Sequence, residues 1–327
     1  MILVTGATGL LGRFVVNQFL SQGHSVIALK RSSSKVDTSL KGNIEWMDAD
    51  VRDAVTISEC IQKATTVVHA AASVSFDPRA KDEIFQTNVL GTKHVVDACL
   101  THGIKKLIHV SSVAALGRKK GIETIDESTQ WVESPLNSDY AKSKYLAELE
   151  VYRGMEEGLH TSIVNPSFIL APVAWDKSSA KIFNYVWNEN KFYSGGTANY
   201  VDVANVVDII YKLYQTNFNG ERFIASAGSI AYRDLFMEIA KRFGKKSPSL
   251  QVTNLLLPLF ARLEEARSWL TGKEPLISRE SIKSAQSKSV YSNKKAVEQL
   301  GAQFKPLSQT LDTCCNFFLT AYTTKKS

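Results

Sequence analysis

The chain has 327 residues, of which 44% are hydrophobic and 22% charged, and its formal net charge is +7. These fractions are typical of globular proteins and exclude disordered and fibrous architectures, and no apolar run approaches the roughly 18 residues of a membrane span. The basic residues are scattered in groups of two or three, which indicates a solvated surface rather than a nucleic-acid interface.

The first 165 residues alternate between apolar runs and amphipathic helical segments. Strands are predicted at residues 2–5, 25–29, 44–47, 66–70, 106–111 and 161–164, and helices at 10–22, 57–63, 81–102 and 139–157. Strands that are separated by helices need crossover connections. The pattern therefore predicts an α/β fold with a doubly wound, mostly parallel sheet of the Rossmann type.

After residue 165 the pattern is less regular. Residues 166–199 are predicted to be rich in loops, a helix is predicted from Asp202 to Tyr214, and a strand at 222–225. From residue 231 onward the chain is predicted to be mainly helical, and residues 255–270 are the most apolar part of this region. We expect a Rossmann domain from residues 1–165 and 200–228, and a smaller, mostly helical lobe from 166–199 and 229–327.

The N-terminus and the cysteines both suggest a cytoplasmic protein. The chain begins directly with a strand pattern, which leaves no room for a secretory leader. The four cysteines form no CxxC pair, and two of them are adjacent, which is poor geometry for a disulfide (Cys60, Cys99, Cys314, Cys315). The six histidines show no metal-binding spacing, so we expect reduced thiols and no metal.

A glycine turn, Gly6-Ala7-Thr8-Gly9-Leu10-Leu11-Gly12, separates the first strand from the first helix. Glycines at this point let the backbone approach a phosphate, and the following helix offers N–H groups and a partial positive charge. The turn predicts a site for a dinucleotide, with contacts from Gly6, Thr8, Gly9, Leu10 and Leu11.

The residues after the second strand indicate which dinucleotide binds. Enzymes that prefer NAD place a carboxylate there to hold the ribose 2′-hydroxyl. This chain has Lys30-Arg31-Ser32-Ser33-Ser34-Lys35 instead. Cations and hydroxyl donors suit a 2′-phosphate. NADP is therefore the predicted cofactor, with Arg31 as its main selector, and NAD is the less suited one.

A tyrosine and a lysine, Tyr140 and Lys144, share one face of a predicted helix. The same spacing occurs twice more in the C-terminal part, at pairs that we assign to the surface: Tyr291/Lys295 and Tyr322/Lys326. Position distinguishes the first pair, because it follows the fifth strand, which ends in Ser111-Ser112. Since ligands of doubly wound sheets bind at the carboxyl ends of the strands, Ser112 and Tyr140 can converge there.

These three residue types suit acid–base chemistry on a carbonyl. A free phenol has a pKa near 10, and lowering it by about three units needs roughly 4 kcal/mol. The Lys144 ammonium and an oxidised nicotinamide could supply that stabilisation. Ser112 would bind and orient the substrate oxygen. The predicted catalytic residues are Ser112, Tyr140 and Lys144.

Because it contains these motifs, the chain resembles the extended short-chain dehydrogenases/reductases of the NAD-dependent epimerase/dehydratase family. Its Asn165-Pro166-Ser167 segment and Arg31 are most similar to dihydroflavonol-reductase-like and 3β-hydroxysteroid-dehydrogenase-like members. It departs from the family's common pattern at Ala171 and Asn205, and at Asn165, where many sugar-nucleotide epimerases have arginine. The matching segments are Thr5–Gly12, Asp50–Asp53, His69–Ala72, Asn88–Thr92, Ser111-Ser112, Tyr140/Lys144, Asn165–Ser167, Tyr200–Val203 and Ser292–Gly301.

The resemblance implies roles for further residues. Asp50 and Val51 would meet the adenine, and Asn88 would steady the active-site helix. The remaining cofactor contacts would come from Ala70, Ala71, Ala72, Ser111, Pro166 and Ser167. It also implies a homodimer formed by helices 81–102 and 139–157, which carry apolar residues such as Val95, Leu149 and Tyr152.

Three functions are compatible with these residues. The favoured one is an NADP-dependent oxidoreductase that reduces a ketone or aldehyde of a fairly apolar small molecule. The alternatives are a nucleotide-sugar epimerase or dehydratase and a redox sensor that binds NADP without turnover. A sensor would not need Ser112, Tyr140 and Lys144 together. The substrate pocket is expected from residues 166–199 and 245–285, whose sequence does not identify the substrate.

Overall fold

The computed structural model describes residues 1–36, 40–75, 77–118, 121, 123–174, 178–252 and 289–323. The apolar segment predicted at 255–270, most of the expected pocket segment 245–285 and the side chain of Tyr322 lie outside the described residues.

The secondary structure follows the predicted alternation and adds short strands. The strands are β1 (Ile2–Thr5), β2 (Val26–Lys30), β3 (Ile44–Asp48), β4 (Thr66–His69), β5 (Lys106–Val110), β6 (Thr124–Ile125), β7 (Thr161–Pro166), β8 (Phe168–Leu170), β9 (Phe192–Ser194), β10 (Thr197–Asp202), β11 (Glu221–Ala225), β12 (Gly228–Ala231), β13 (Leu250–Val252) and β14 (Val290–Tyr291). The helices are α1 (Gly12–Ser21), α2 (Ala54–Ile61), α3 (Lys81–Phe85), α4 (Gly91–Thr101), α5 (Asp139–Glu156), α6 (Lys181–Trp187), α7 (Val203–Gln215), α8 (Tyr232–Phe243), α9 (Lys294–Leu300) and α10 (Leu307–Thr323).

Seven parallel strands form the central sheet, in the order β3-β2-β1-β4-β5-β7-β11. The strand order reverses between β1 and β4, and such a reversal opens a crevice at the carboxyl ends of the two strands. The predicted doubly wound parallel sheet is confirmed. The glycine turn after β1 lies at this crevice.

Apolar side chains cover both faces of the central sheet. Val4 and Ile108 pack on one face in a core shared with α1 and α7. Leu3 and Leu107 pack on the other face with α2, α4 and α5. Because neighbouring residues of a strand point to opposite faces, strands buried on both sides read as continuous apolar runs.

The helix predicted at 81–102 is interrupted by a π turn. Helices α3 and α4 are joined through Gln86–Leu90, whose backbone has the wider π geometry. Such turns frequently occur at functional sites. The turn contains the buried Asn88, which the sequence assigns to the support of the active site.

Residues 166–199 are more regular than predicted. They contain β8, α6, β9 and the first half of β10, and the strand order β12-β10-β8 forms a second sheet of three strands. The loop-rich interpretation is therefore wrong. Strands of three to six residues are too short for an alternating pattern to identify them.

The surface assignment of Tyr291 is also wrong. Tyr291 lies in β14, which pairs with β6, and its ring packs with Leu116, Ile125 and Ile224. Burial raises the pKa of its phenol. A strand of two residues gives no local pattern from which this packing could be predicted.

The four cysteines are buried and form no disulfide (Cys60, Cys99, Cys314, Cys315). Burial raises the pKa of each thiol, so the cysteines act as small apolar core residues. Within the described ranges, no group of three or more His, Cys, Asp or Glu side chains could hold a metal ion. None of the helices in that part of the chain combines the length and the hydropathy needed to cross a bilayer.

Candidate active site

The glycine turn is packed tightly against the segment that follows β4. Gly6 has a φ of +66°, and a Cβ there would lie 2.7 Å from the backbone N and Cα of Ala71. A Cβ on Gly12 would lie 2.1 Å from the carbonyl oxygen of Gly6. Both positions need glycine. The structure thus brings together two of the predicted cofactor segments, the turn and Ala70–Ala72.

The start of α1 is open to an anion. Its N-cap residue, Leu11, is buried and makes no side-chain cap, and its first turn contains no acidic residue. Gly9 is exposed, and Thr8 and Leu10 are half-buried around the same turn. A helix N-terminus with this arrangement fits the pyrophosphate of a dinucleotide.

At the end of β2, the two adjacent cations differ in their surroundings. Lys30 forms an ion pair with Asp48 of β3. Arg31 is exposed and forms no ion pair with any described residue. Since the carboxylate of a neighbouring strand neutralises Lys30, Arg31 is the one of these two adjacent cations whose side chain is exposed to a ligand.

Asp50 and Val51 lie at the end of β3, as expected for an adenine site. Arg52 donates to the Asp50 carboxylate at 2.6 and 3.0 Å and lowers its pKa. Val51 is buried against Gly91, and a Cβ at position 91 would lie 2.7 Å from Val51 Cγ2. An open hollow of about 530 Å³ lies beside them, lined by Asp50, Arg52, Asp53, Asp82, Glu83 and Gln86.

Ser112 and Tyr140 come together at the end of β5. Ser112 accepts a hydrogen bond from the Ala114 N–H at 3.2 Å, at the start of a short 3₁₀ turn. Tyr140 lies in the first turn of α5, which Ser138 caps. The Ser112 hydroxyl forms a hydrogen bond with the phenol. Burial raises the pKa of Tyr140, and the hydrogen bond opposes the shift, so the phenol keeps its proton at neutral pH.

Lys144 lies one helical turn after Tyr140. Only 1% of the residue is exposed, and its Nζ donates to the carbonyl oxygen of Val110 at 2.9 Å. Burial lowers its pKa to about 8, and the charge of Glu148 opposes the shift. The predicted triad of Ser112, Tyr140 and Lys144 is therefore assembled at the edge of the sheet.

A chain of buried hydrogen bonds, which the sequence did not reveal, supports this edge. Thr5 Oγ1 accepts from the two backbone N–H groups that follow His69, each at 3.1 Å, and therefore donates to His69 Nδ1 at 2.7 Å. The ring must then carry its proton on Nε2, which donates to Thr92 Oγ1 at 3.0 Å. Burial lowers the pKa of His69 to about 3, so the ring is neutral.

Asn88 connects two parts of the site. Its side-chain oxygen accepts from the Ser73 N–H at 2.8 Å, and its Nδ2 donates to the Ser73 carbonyl at 3.0 Å. Nδ2 also donates to Ser143 Oγ at 2.9 Å, beside Lys144 on α5. Asn88 therefore joins the segment after β4 to helix α5.

The remaining predicted residues lie along the same edge of the sheet. Ser111, Pro166 and Ser167 are buried after β5 and at the end of β7, while Ala72 is exposed. Arg31 and the triad are not in contact, because β2 and β5 are three strands apart, about 14 Å at the usual spacing. A ligand that touches both must be as extended as a dinucleotide.

Comparison with known proteins agrees with this arrangement. The chain is 29% identical over 324 residues to a dihydroflavonol 4-reductase-like protein of Synechocystis sp., covering 96% of this chain and 93% of that protein. It is 24% identical to cinnamoyl-CoA reductase 1 of Petunia hybrida, covering 76% and 78%. The structure of a UDP-glucose 4-epimerase from Thermotoga maritima has the same fold, with a TM-score of 0.80, 21% identity and coverage of 98% and 99%.

The family model named "NAD dependent epimerase/dehydratase family" matches residues 2–225, which include all seven strands of the central sheet. This protein therefore belongs to the NAD-dependent epimerase/dehydratase family, whose members are NAD(P)-dependent enzymes of the extended short-chain dehydrogenase/reductase type.

Proposed function

We propose that this protein is an NADP-dependent oxidoreductase that reduces the carbonyl of a fairly apolar ketone or aldehyde to an alcohol. The observation that carries the proposal is the hydrogen-bonded pair of Ser112 and Tyr140, with Lys144 buried one turn further along α5. The similarity to two proteins with reductase names supports this reaction over epimerisation or dehydration.

The residues of the site have distinct roles in the proposed reaction. Bound NADPH would supply the hydride that reaches the carbonyl carbon. Tyr140 donates its proton to the carbonyl oxygen, and Ser112 orients that oxygen by a hydrogen bond. The Lys144 cation stabilises the phenolate that remains until solvent returns a proton.

The cofactor would extend along the carboxyl edge of the sheet. Arg31 would bind the 2′-phosphate, and the glycine turn with the start of α1 would bind the pyrophosphate. In this arrangement the adenine lies against Asp50 and Val51. The residues proposed to hold the cofactor are Gly6, Thr8, Gly9, Leu10, Leu11, Arg31, Asp50, Val51, Ala70, Ala71, Ala72, Asn88, Ser111, Tyr140, Lys144, Pro166 and Ser167.

Exposed apolar side chains near this edge favour an apolar substrate. Val74, after β4, is 53% exposed, and Phe168, directly after Ser167, is 36% exposed. We propose that residues 166–199 and 229–327 form the lobe that binds the substrate, and that residues 1–165 and 200–228 form the domain that binds NADP.

The proposal is tested by following NADPH oxidation with a panel of apolar ketones, aldehydes and nucleotide sugars. We expect oxidation with at least one carbonyl compound and no conversion of the sugars. Interconversion of sugar nucleotides without net NADPH consumption would favour the epimerase, and binding of NADPH without turnover across the panel would favour the sensor.

Cofactor selectivity is a prediction of its own. We expect NADP(H) to bind at least about tenfold more tightly than NAD(H), a difference of about 1.4 kcal/mol that one charge-assisted contact supplies. Replacing Arg31 by alanine should remove most of this preference, whereas Lys35→Ala in the same exposed loop should retain it. Titration calorimetry measures both affinities, and equal values for the unmodified protein would reject the prediction.

We also propose a homodimer formed by α4 and α5. Leu149 is 44% exposed on α5, and Arg153 joins the two helices by an ion pair with Asp97 at 2.6 Å. Val95 is wholly buried in the core and cannot contribute, which corrects one of the expected contacts. Light scattering at micromolar concentration should give twice the chain mass, and Leu149→Glu should lower it. A monomeric mass for the unmodified protein would contradict the proposal.

A further inference from the structure

Helix α5 carries a further polar side chain in line with Tyr140 and Lys144. Glu148 follows Lys144 by one turn and is only 1% exposed. The proton transfer proposed above does not use it. A carboxylate costs much free energy to bury unless charged or hydrogen-bonded groups compensate it, so its neighbours indicate what it does.

Both oxygens of the Glu148 carboxylate have donors from outside α5. Asn165 Nδ2, near the end of β7, donates to Oε1 at 2.6 Å. Arg222 of β11 approaches Oε2 at 3.4 Å. The same guanidinium is held in place by the carbonyl oxygens of Glu127 at 2.9 Å and Thr129 at 2.8 Å.

Asn165 links Glu148 to the end of β5. Its Nδ2 carries two hydrogens, and it also donates to the carbonyl oxygen of Ser112 at 3.0 Å. Two residues earlier in the chain, the carbonyl oxygen of Val110 accepts from Lys144. The end of β5 is therefore held at two points on either side of Ser111, directly by Lys144 of α5 and through Asn165 of β7, which in turn is bonded to Glu148.

The charges around Lys144 single out Glu148. The other titratable groups that face Lys144 in the described structure are Tyr140 on its own helix, His69 of β4 and His109 of β5. Burial and the nearby ammonium lower the pKa of both imidazoles, so both rings are neutral at neutral pH. Glu148 is the anion that acts on Lys144 among the described residues.

Glu148 itself is subject to opposing effects. Burial has the largest effect and raises the pKa of its carboxyl group, while the hydrogen bond from Asn165 and the charges of Arg222 and Lys144 oppose that shift. Each oxygen of the Glu148 carboxylate nevertheless has a donor, and the Arg222 guanidinium approaches it at 3.4 Å; such partners offset the cost of burying a carboxylate.

We propose that Glu148 is a positioning residue of the active site, whose buried carboxylate holds Lys144 as a cation and, through Asn165, fixes the carbonyl of Ser112. The inference rests on the roles proposed for Lys144 and Ser112. The main test follows the protonation of Lys144 in the absence of cofactor and substrate. The inference can therefore fail while the proposed carbonyl reduction stands, and the carbonyl reduction can fail while the inference stands.

The first test is a pH titration of the cofactor-free protein labelled with ¹³C at the lysine ε-carbons. The Lys144 signal is identified by its loss in Lys144→Met. In Glu148→Gln, we expect the midpoint of Lys144 to fall by about one pH unit or more, since an opposite charge at close range shifts a pKa by about 1–3 units. Glu148→Asp keeps the charge and should recover most of the shift.

A matched control comes from the outer face of the same helix. Glu150 pairs with Arg153, and Glu150→Gln should leave the Lys144 midpoint unchanged. If Glu148→Gln titrates at the midpoint of the unmodified protein, the proposal is wrong.

The second test separates charge from geometry. Asn165→Leu removes the link to Ser112 but keeps the Glu148 carboxylate. Turnover should fall by about tenfold or more, the scale of a lost general-acid alignment, with NADPH affinity changed by no more than a few-fold. Unchanged turnover would overturn the positioning of Ser112.

Failure of Glu148→Gln to fold would also be informative. The double variant Lys144→Met/Glu148→Gln removes both charges. If the double variant folds and the single variant does not, the uncompensated charge of Lys144 is the cause of the misfolding. That result supports the interaction between Glu148 and Lys144. If neither folds, the carboxylate is needed for Arg222 and Asn165 instead, and the pairing with Lys144 is rejected.

Discussion

Replacing Tyr140 by phenylalanine is expected to lower turnover of a reducible carbonyl substrate by about 10²-fold or more, the usual scale for a lost general acid. The change removes the proton donor while it keeps the ring and the packing at the start of α5. NADPH affinity should therefore change by no more than a few-fold. Steady-state kinetics and titration of NADPH measure the two effects separately.

The control must be a tyrosine outside the site. Tyr214 of α7 packs edge-on against Phe19 at 5.3 Å, on the other side of the sheet. Tyr214→Phe should retain the activity of the unmodified protein. Tyr291→Phe, which the tyrosine–lysine spacing suggests as a control, is unsuitable because Tyr291 is buried beside Arg118.

The other two members of the triad should respond differently. Lys144→Ala should reduce both turnover and cofactor affinity, and Ser112→Ala should reduce turnover more than affinity. Full activity of Tyr140→Phe would mean that Tyr140 is not the acid, and the glycine turn would then support only nucleotide binding.

Replacing Gly6 by alanine is expected to destabilise the protein and to weaken NADPH binding together. A left-handed φ costs a residue with a Cβ about 1–2 kcal/mol. Overpacking against the backbone of Ala71, 2.7 Å from the new Cβ, adds about 1–3 kcal/mol. We expect a loss of about 2–5 kcal/mol in the free energy of unfolding and a loss of cofactor affinity above about tenfold.

Gly23 offers a matched control, because it has a φ of +78° and no atom within 4 Å of a Cβ. Gly23→Ala should show the conformational cost alone, about 1–2 kcal/mol, with NADPH affinity unchanged. Urea unfolding and calorimetry measure both variants. Similar losses of stability and affinity at the two positions would show that close packing at Gly6 is not needed for the cofactor site.

The sequence by itself determined the parts of this protein that depend on local patterns. Alternating strands and helices predicted the parallel sheet, because each segment must bury its own apolar face. The glycines from Gly6 to Gly12 predicted the crevice that binds a dinucleotide, because a glycine-rich turn between a strand and a helix seldom serves another purpose. Ser112, Tyr140 and Lys144 could be chosen because strand ends of a parallel sheet share one edge.

The tertiary structure alone decided which partners these residues have. Asp48 neutralises Lys30 from the next strand, and Glu148 meets Asn165 and Arg222, which lie 17 and 74 positions further along the chain. Tyr291 is buried by residues of β6 and β11, which are also distant from it in sequence. Local periodicity reports which face of a segment is buried, but not which distant side chain lies opposite it. Charge pairing and hydrogen bonding depend on that opposite side chain, and so only the folded chain determines them.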